Sequence, residues 1–386
     1  MNRISENIKY IGVDDKTIDL FESQYKVPNG MSYNSYLIVD EKIAIMDTVD
    51  KRKSDEWLLN LEGALDGQAP DYLVVSHMEP DHAYNIQRVA EKYPEMQIIG
   101  NAKTFQMMPQ FFDIDMSNRL IKVSEGDTIN LGNHNLTFYM APMVHWPEVM
   151  VTYESTEKVL FSADGFGKFG AIDAQEDWDC EARRYYFNIC GKYGAQVQAL
   201  LKKVGVLDIK IICPLHGPIL NDNLTHYISL YDTWSKYEPE TDGVFIAYTS
   251  IHGNTKEAVL KFFDMLKSKT DKRIEITDLA REDIAEAVEN AFRYSKMIVA
   301  APSYDAGVFP CMNSFLHLLK SKGYKNRKVG IIENGSWAPS AARVMKSYFD
   351  EMKNIEVCDT IVTIRSTMKD DTIKCFDTLS DEILSL

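Results

Sequence analysis

Within six residues, His77-Met78-Glu79-Pro80-Asp81-His82 carries two imidazoles and two carboxylates, directly after the apolar run Tyr72-Leu73-Val74-Val75. Nitrogen and oxygen donors gathered where a strand ends are what a first-row metal ion requires. Alone, such a stretch reads equally as a polar turn whose charges are solvated. Three more residues in matching contexts weigh against that: His145 in Met143-Val144-His145-Trp146-Pro147-Glu148, Asp164 in Leu160-Phe161-Ser162-Ala163-Asp164-Gly165, and His216 in Ile212-Cys213-Pro214-Leu215-His216-Gly217-Pro218. Each follows a β-branched or aromatic run and lies close to Gly or Pro, where a strand stops and a turn begins. Of the eight histidines, four fall on these spots. His134, His226, His252 and His317 lack the context and read as surface or helix-face residues. Trp146 and Glu148 flank His145 and read as bracing the pocket.

The second half carries a different chemistry. Gly243-Val244-Phe245-Ile246-Ala247-Tyr248 reads as a buried strand, followed by the loop Ser250-Ile251-His252-Gly253-Asn254-Thr255 and an amphipathic helix from Lys256. Hydroxyls and a glycine at a helix N-terminus form a cradle for phosphate, because unpaired backbone N–H groups and the helix dipole face the anion. Two further strand-to-helix loops follow the same plan. Pro302-Ser303-Tyr304-Asp305-Ala306-Gly307 comes after the strand Met297–Ala301, and Glu333-Asn334-Gly335-Ser336-Trp337 comes after Lys328–Ile332, before a helix from about Ser340. Strands alternating with helices, with loops at the strands' carboxyl ends, describe a doubly wound parallel sheet of order 2-1-3-4-5.

The elements that must position these groups fall into two domains. A chain of 386 residues exceeds one ordinary core. The stretch Tyr237-Glu238-Pro239-Glu240-Thr241-Asp242-Gly243 has nothing to bury, so domains are expected over 1–240 and 243–386. The six cysteines include no Cys-x-x-Cys pair, which excludes a rubredoxin-type iron site and a thioredoxin motif. They read as reduced thiols. With no apolar leader and no span of about 18 apolar residues, a cytoplasmic protein is expected. A formal charge of −15 argues against nucleic acid as partner.

In order and context, the first half resembles the metallo-β-lactamase fold, whose hydrolases carry His-x-His-x-Asp-His, then a His, a bridging Asp and a final His, usually with zinc. One position departs: Glu79 stands where those enzymes have His. His-x-Glu-x-Asp-His is similar to the flavodiiron proteins, in which an αβ/βα sandwich of that fold is followed by a flavodoxin-like sheet. The three loops of the second half resemble flavodoxin's phosphate loop and the two loops flanking its isoalloxazine, with His252 where flavodoxin has Thr. Asp47, after Ala44-Ile45-Met46, matches the strand-end Asp of lactamase-like folds, which orients neighbouring groups. The resemblance covers almost the whole chain, and no appended rubredoxin or reductase domain is expected.

The resemblance implies one iron held by His77, Glu79 and His145, another by Asp81, His82 and His216, with Asp164 bridging. FMN would lie on Ser250–Thr255, on Pro302–Asp305 with Gly307, and on Asn334–Trp337, with Trp337 and Tyr304 against its ring. Electrons from rubredoxin or another small redox donor would pass through FMN to the diiron centre, which would reduce dioxygen to water or nitric oxide to nitrous oxide. A head-to-tail homodimer is implied, with a dimer of dimers left open. The added carboxylate of Glu79 favours ferric iron over a non-redox Lewis acid. Two rivals stand beside this reading: a zinc hydrolase fused to a flavodoxin-like module, and an FMN electron carrier with a vestigial front half.

Overall fold

The computed structural model describes residues 4–385. The chain divides into two compact units, Met1–Tyr186 with Ala195–Asp232, and Phe187–Gly194 with Thr233–Leu386. The segment Thr233–Asp242 thus groups with the second unit. Local bonds explain this: the Tyr237 hydroxyl donates to the Gly191 carbonyl, and Arg327 donates to the Tyr237 carbonyl, both at 2.7 Å.

The first unit contains two sheets. One has six strands in the order Ile8–Tyr10, Tyr36–Ile38, Ala44–Met46, Tyr72–Val74, Gln97–Asn101 and Leu120–Val123. The other has five, Thr128–Asn130, Asn135–Met140, Met150–Glu154, Val159–Phe161 and Ile211–Cys213, in chain order. Both contribute to one core: Tyr36, Met46, Val74 and Ile99 of the first sheet pack with Leu136, Phe138, Met150 and Phe161 of the second. Alternate residues of a strand point to opposite faces, so these side chains face inward and leave the strand ends to carry loops. The paired strands Val159–Phe161 and Ile211–Cys213 run parallel, which puts Asp164 and His216 at the same edge.

The second unit is built on a five-stranded parallel sheet, Arg273–Asp278, Thr241–Tyr248, Tyr294–Tyr304, Arg327–Asn334 and Ile355–Ile364 from edge to edge. In chain order this is 2-1-3-4-5, the order expected. Val244–Tyr248 and Met297–Ala301 are buried throughout, as continuous apolar runs must be when helices cover both faces. All the strands end at one edge, so the loops after residues 248, 304, 334 and 364 meet there. The longest strand continues through Tyr304 and turns at Asp305 and Ala306 to pair with Gly307–Val308. Both turn residues have positive φ, 47° and 57°, as a two-residue hairpin matched to strand twist demands.

Candidate metal centre and flavin site

The seven residues singled out in the first half come together as two groups, His77, Glu79, His145 and Asp164, and Asp81, His82 and His216, the ligand atoms of each lying within 4.8 Å of one another. Local structure explains the placement. His77 lies just past the strand Tyr72–Val74, and Glu79 is the N-cap of a short helix, Pro80–Ala83, that carries Asp81 and His82. Pro80 suits the first helical position, where no N–H is needed. His145 sits in the connection between Asn135–Met140 and Met150–Glu154.

Asp164 joins the groups. Its Oδ2 lies 3.0 Å from His145 Nε2 and 3.4 Å from His77 Nε2; its Oδ1 lies 3.2 Å from His82 Nε2 and 3.7 Å from His216 Nε2. Glu79 Oε2 closes one side, 3.1 Å from His77 Nε2 and 3.0 Å from His145 Nε2. Asp81 Oδ2 closes the other, 3.2 Å from His216 Nε2 and 3.4 Å from His82 Nε2. Burial resists charging His77, but Glu148, Glu79 and Asp164 outweigh it and raise its pKa to about 10. Burial likewise opposes ionisation of Asp164, and the imidazoles around it hold its carboxyl far below the usual range.

The donor set fits metal cations. Both oxygens of Asp81, both ring nitrogens of His82 and Oδ1 of Asp164 are buried without a hydrogen-bond partner. Orphaned polar atoms cost several kcal/mol each when nothing compensates them, and three of these, Asp81 Oδ2, His82 Nε2 and Asp164 Oδ1, lie close together, His82 Nε2 being 3.4 and 3.2 Å from the two oxygens. The surrounding groups orient the ligands. Glu148 Oε1 lies 2.7 Å from His77 Nδ1 and accepts the Met78 N–H at 2.8 Å, so Glu148 braces His77 rather than its own neighbour His145. His216 Nδ1 lies 2.7 Å from the Ser32 carbonyl. Asp47, whose carboxyl burial pushes up to about 6, accepts the Ser76 N–H at 2.7 Å and lies outside both groups. The indole of Trp146 meets His77 edge-on at 5.2 Å.

In the second unit the three expected loops line one cleft of about 640 Å³. Ser250, Ile251, His252, Asn254, Thr255, Pro302, Ser303, Tyr304, Asp305, Asn334, Gly335, Ser336 and Trp337 face it; Gly253 and Gly307 do not. Those two glycines shape the loops instead. Gly253 adopts φ +99° ahead of the helix Asn254–Lys269, and Gly307 pairs with Tyr304 in the hairpin. Ser250 Oγ accepts the N–H groups of Gly253 and Lys256 at 3.1 and 3.2 Å. Asn334 links two loops, donating to Thr255 Oγ1 at 3.2 Å and to the Ser366 carbonyl at 3.0 Å. Trp337 is 89% exposed and Tyr304 46%, two aromatic planes at the rim.

Sequence reasoning missed Ala306, Ala338, Pro339, Ser340, Arg343 and Ser366, which also line the cleft. Ser366 follows the fifth strand, and the expected strand order could have found it. Arg343 carries no signal beyond its place in the first turn of the helix Ala341–Asp350. The reading of His134 as a surface residue is corrected. It is buried, with Nδ1 2.7 Å from Asp40 Oδ2 and Nε2 3.2 Å from Glu157 Oε1, because the neighbouring turn folds back on these carboxylates. His226 does lie nearer the surface, 2.8 Å from Asp179 Oδ1.

Comparison with known proteins agrees with both halves. The ODP family beta lactamase model matches residues 31–217. The anaerobic nitric oxide reductase flavorubredoxin of Escherichia coli is 29% identical over 88% of this chain and 73% of its own length. A Synechocystis protein named as a diflavin flavoprotein is 27% identical over 89% of this chain, which spans 60% of that relative's length. The solved rubredoxin oxygen:oxidoreductase of Desulfovibrio gigas superposes with a TM-score of 0.91 at 25% identity, covering 99% of this chain and 97% of the other. With a lactamase-like unit bearing Glu79 among its metal-grade residues and a flavodoxin-like unit after it, the chain is similar to the flavodiiron proteins across both halves.

Proposed function

We propose that this flavodiiron oxidoreductase takes electrons from a rubredoxin-type or similar small redox donor and uses them to reduce dioxygen to water, nitric oxide to nitrous oxide, or both. The observation that carries the reading is Asp164, whose two oxygens are shared between two groups of buried ligands. His77, Glu79 and His145 would hold one iron and Asp81, His82 and His216 the other. FMN would bind in the cleft of the second unit, its phosphate on the Ser250–Thr255 loop and its ring between the Tyr304 hairpin and the Trp337 loop. When bound, the irons and the flavin supply the electrons that the gas receives.

The chain's own residues position that chemistry. Asp164, Glu79 and Asp81 offset the charge of two cations held close together, an arrangement that stabilises an oxidised iron pair better than an all-imidazole set would. Glu148 and the Ser32 carbonyl hold the rings of His77 and His216 with Nε2 presented inward. The rings of Phe21, Tyr33 and Tyr185 stand 5.3–5.8 Å from that of His216 and exclude water from that side. Electron transfer fades steeply with distance, and in this family the two cofactors of one subunit lie far apart. We therefore also propose a head-to-tail homodimer in which each flavin serves the neighbouring subunit's metals.

Protein purified without oxygen should contain about two irons and one FMN per chain. With a chemically reduced donor, it should consume dioxygen or nitric oxide. Bound zinc in place of iron, with hydrolysis but no gas consumption, would overturn the reading. The dimer is tested by pairing a metal-deficient chain (Asp164→Asn with His82→Ala) with an FMN-deficient one (Ser250→Ala with Thr255→Ala). Activity should return in the heterodimer, and a silent heterodimer holding both cofactors would mean that electrons pass within one chain.

A further inference from the structure

The two halves of the metal centre offer equal charge to their ions and unequal support behind them. Each half has two imidazoles, one carboxylate of its own (Glu79 or Asp81) and one oxygen of Asp164. Any electronic difference between them must therefore come from the next layer of groups.

That layer is lopsided. Behind His77 stands a fully buried carboxylate: Glu148 Oε1 is 2.7 Å from Nδ1 and accepts the Met78 N–H at 2.8 Å. Glu148 is pinned in turn by Asn101, whose side-chain amide donates to its backbone carbonyl at 2.5 Å. Behind His216 stands only a neutral acceptor, the Ser32 carbonyl at 2.7 Å. His82 Nδ1 is buried with no hydrogen-bond partner. Aromatic rings crowd this side more densely, with Phe21, Tyr33 and Tyr185 around His216 against Trp146 beside His77 and His145.

An imidazole whose N–H is held by a carboxylate is a stronger donor to its metal, because the ring gains partial imidazolate character. Stronger donation stabilises the higher metal charge. An apolar wall acts in the opposite sense, since poorly solvated surroundings disfavour added positive charge. Both effects push the same way along the His77-to-His216 axis.

We propose that Glu148 is a positioning residue that makes the metal pair electronically unequal, so that the ion held by His77, Glu79 and His145 keeps the ferric state longer and the first electron settles on the Asp81, His82 and His216 side. The inference rests on the ligand assignment proposed above. With two ferric ions held there, one electron from a bound flavin would leave one ferric and one ferrous ion, and a second would complete the reduction. The order of filling is what the buried carboxylate sets.

The test uses full-length protein reconstituted without oxygen with ⁵⁷Fe(II) and shown to hold FMN. It is titrated potentiometrically, with Mössbauer and electron paramagnetic resonance spectra taken along the way. Wild type should show two resolved one-electron iron waves, with more of the mixed ferric–ferrous form at mid-titration than two equal sites would give by statistics. Glu148→Gln keeps the acceptor oxygen and the shape but removes the charge. It should retain both irons, raise only the lower-potential wave, and cut the stability of the mixed form at least tenfold, about 59 mV for a one-electron couple. A single unresolved wave in wild type overturns the inference whatever the variant does. So do two waves that Glu148→Gln leaves in place or moves together. Wild type that binds no iron would instead defeat the ligand assignment itself.

Discussion

Asp164 is where the metal reading is most exposed to test, and Asp164→Asn is the least invasive way to test it. The change preserves shape and one carbonyl oxygen while removing a unit charge. In the structure that charge lies 3.0–3.7 Å from four imidazole nitrogens, two on each side. At such spacings a pair of opposite unit charges interacts by about 5 kcal/mol at an effective dielectric constant of ~20, and any ion held by those nitrogens is doubly charged. The remaining amide dipole recovers part of this, leaving an expected loss of about 3 kcal/mol per ion, or roughly two orders of magnitude in affinity. Both ions should weaken, because each shares one oxygen of Asp164. The measurement is Fe(II) affinity by competition with a calibrated chelator under anaerobic conditions, with circular dichroism to show that the fold persists. Wild-type affinity at both sites would refute the bridging role. Loss at one site alone would show that Asp164 serves a single ion.

Three further outcomes are expected. Glu79→His should shift bound metal from iron toward zinc and abolish gas reduction with the fold intact; unchanged metal content and turnover would show that Glu79 does not select the metal. Riboflavin should bind at least tenfold more weakly than FMN, and Thr255→Ala should weaken FMN, as the loss of one or more charge-assisted hydrogen bonds of about 1.5–3 kcal/mol requires; equal affinities measured by flavin fluorescence would remove the phosphate cradle. The third concerns pH. Burial disfavours a charged His134, but Asp40, Glu157 and Glu154 outweigh it and raise its pKa. Its contribution to stability is therefore full below the unfolded value of about 6.5 and is lost as pH rises through the higher folded value. Asp40, held below the usual range despite burial by His134 and backbone N–H groups, acts oppositely, stabilising above about pH 4 and failing in stronger acid. Denaturant unfolding should show stability falling above about pH 6.5 in wild type and a flatter profile in His134→Asn; identical profiles would exclude the network as the cause.

Much of this is legible in the sequence alone. The strand-end contexts of His77, His145, Asp164 and His216 follow from local alternation and turn chemistry, which depend on near neighbours in the chain. The doubly wound class of the second unit follows from the regular strand–loop–helix rhythm, because parallel strands connected by helices have few ways to wind, and its order 2-1-3-4-5 from the resemblance to flavodoxin. Glu79 in place of His was visible as a single letter, and it pointed from hydrolysis toward redox chemistry. What the chain could not disclose is whatever depends on residues far apart in sequence meeting in space. That Asp164 divides its oxygens between two groups is a fact of two parallel strands and their separate loops. That Glu148 reaches across 71 positions to His77, rather than serving His145 beside it, depends on how the loop carrying both turns. Arg343 and Ser366 face the flavin cleft only because strands distant in sequence end at one edge. His134 is buried because its turn folds onto Asp40, 94 positions away. Local pattern determines which groups are offered at strand ends, since a strand's faces and stops are set by its own residues. Which of those groups touch, and through which atom, is decided by the packing of sheets, because hydrogen bonding and coordination are sensitive to tenths of an ångström that no spacing rule carries.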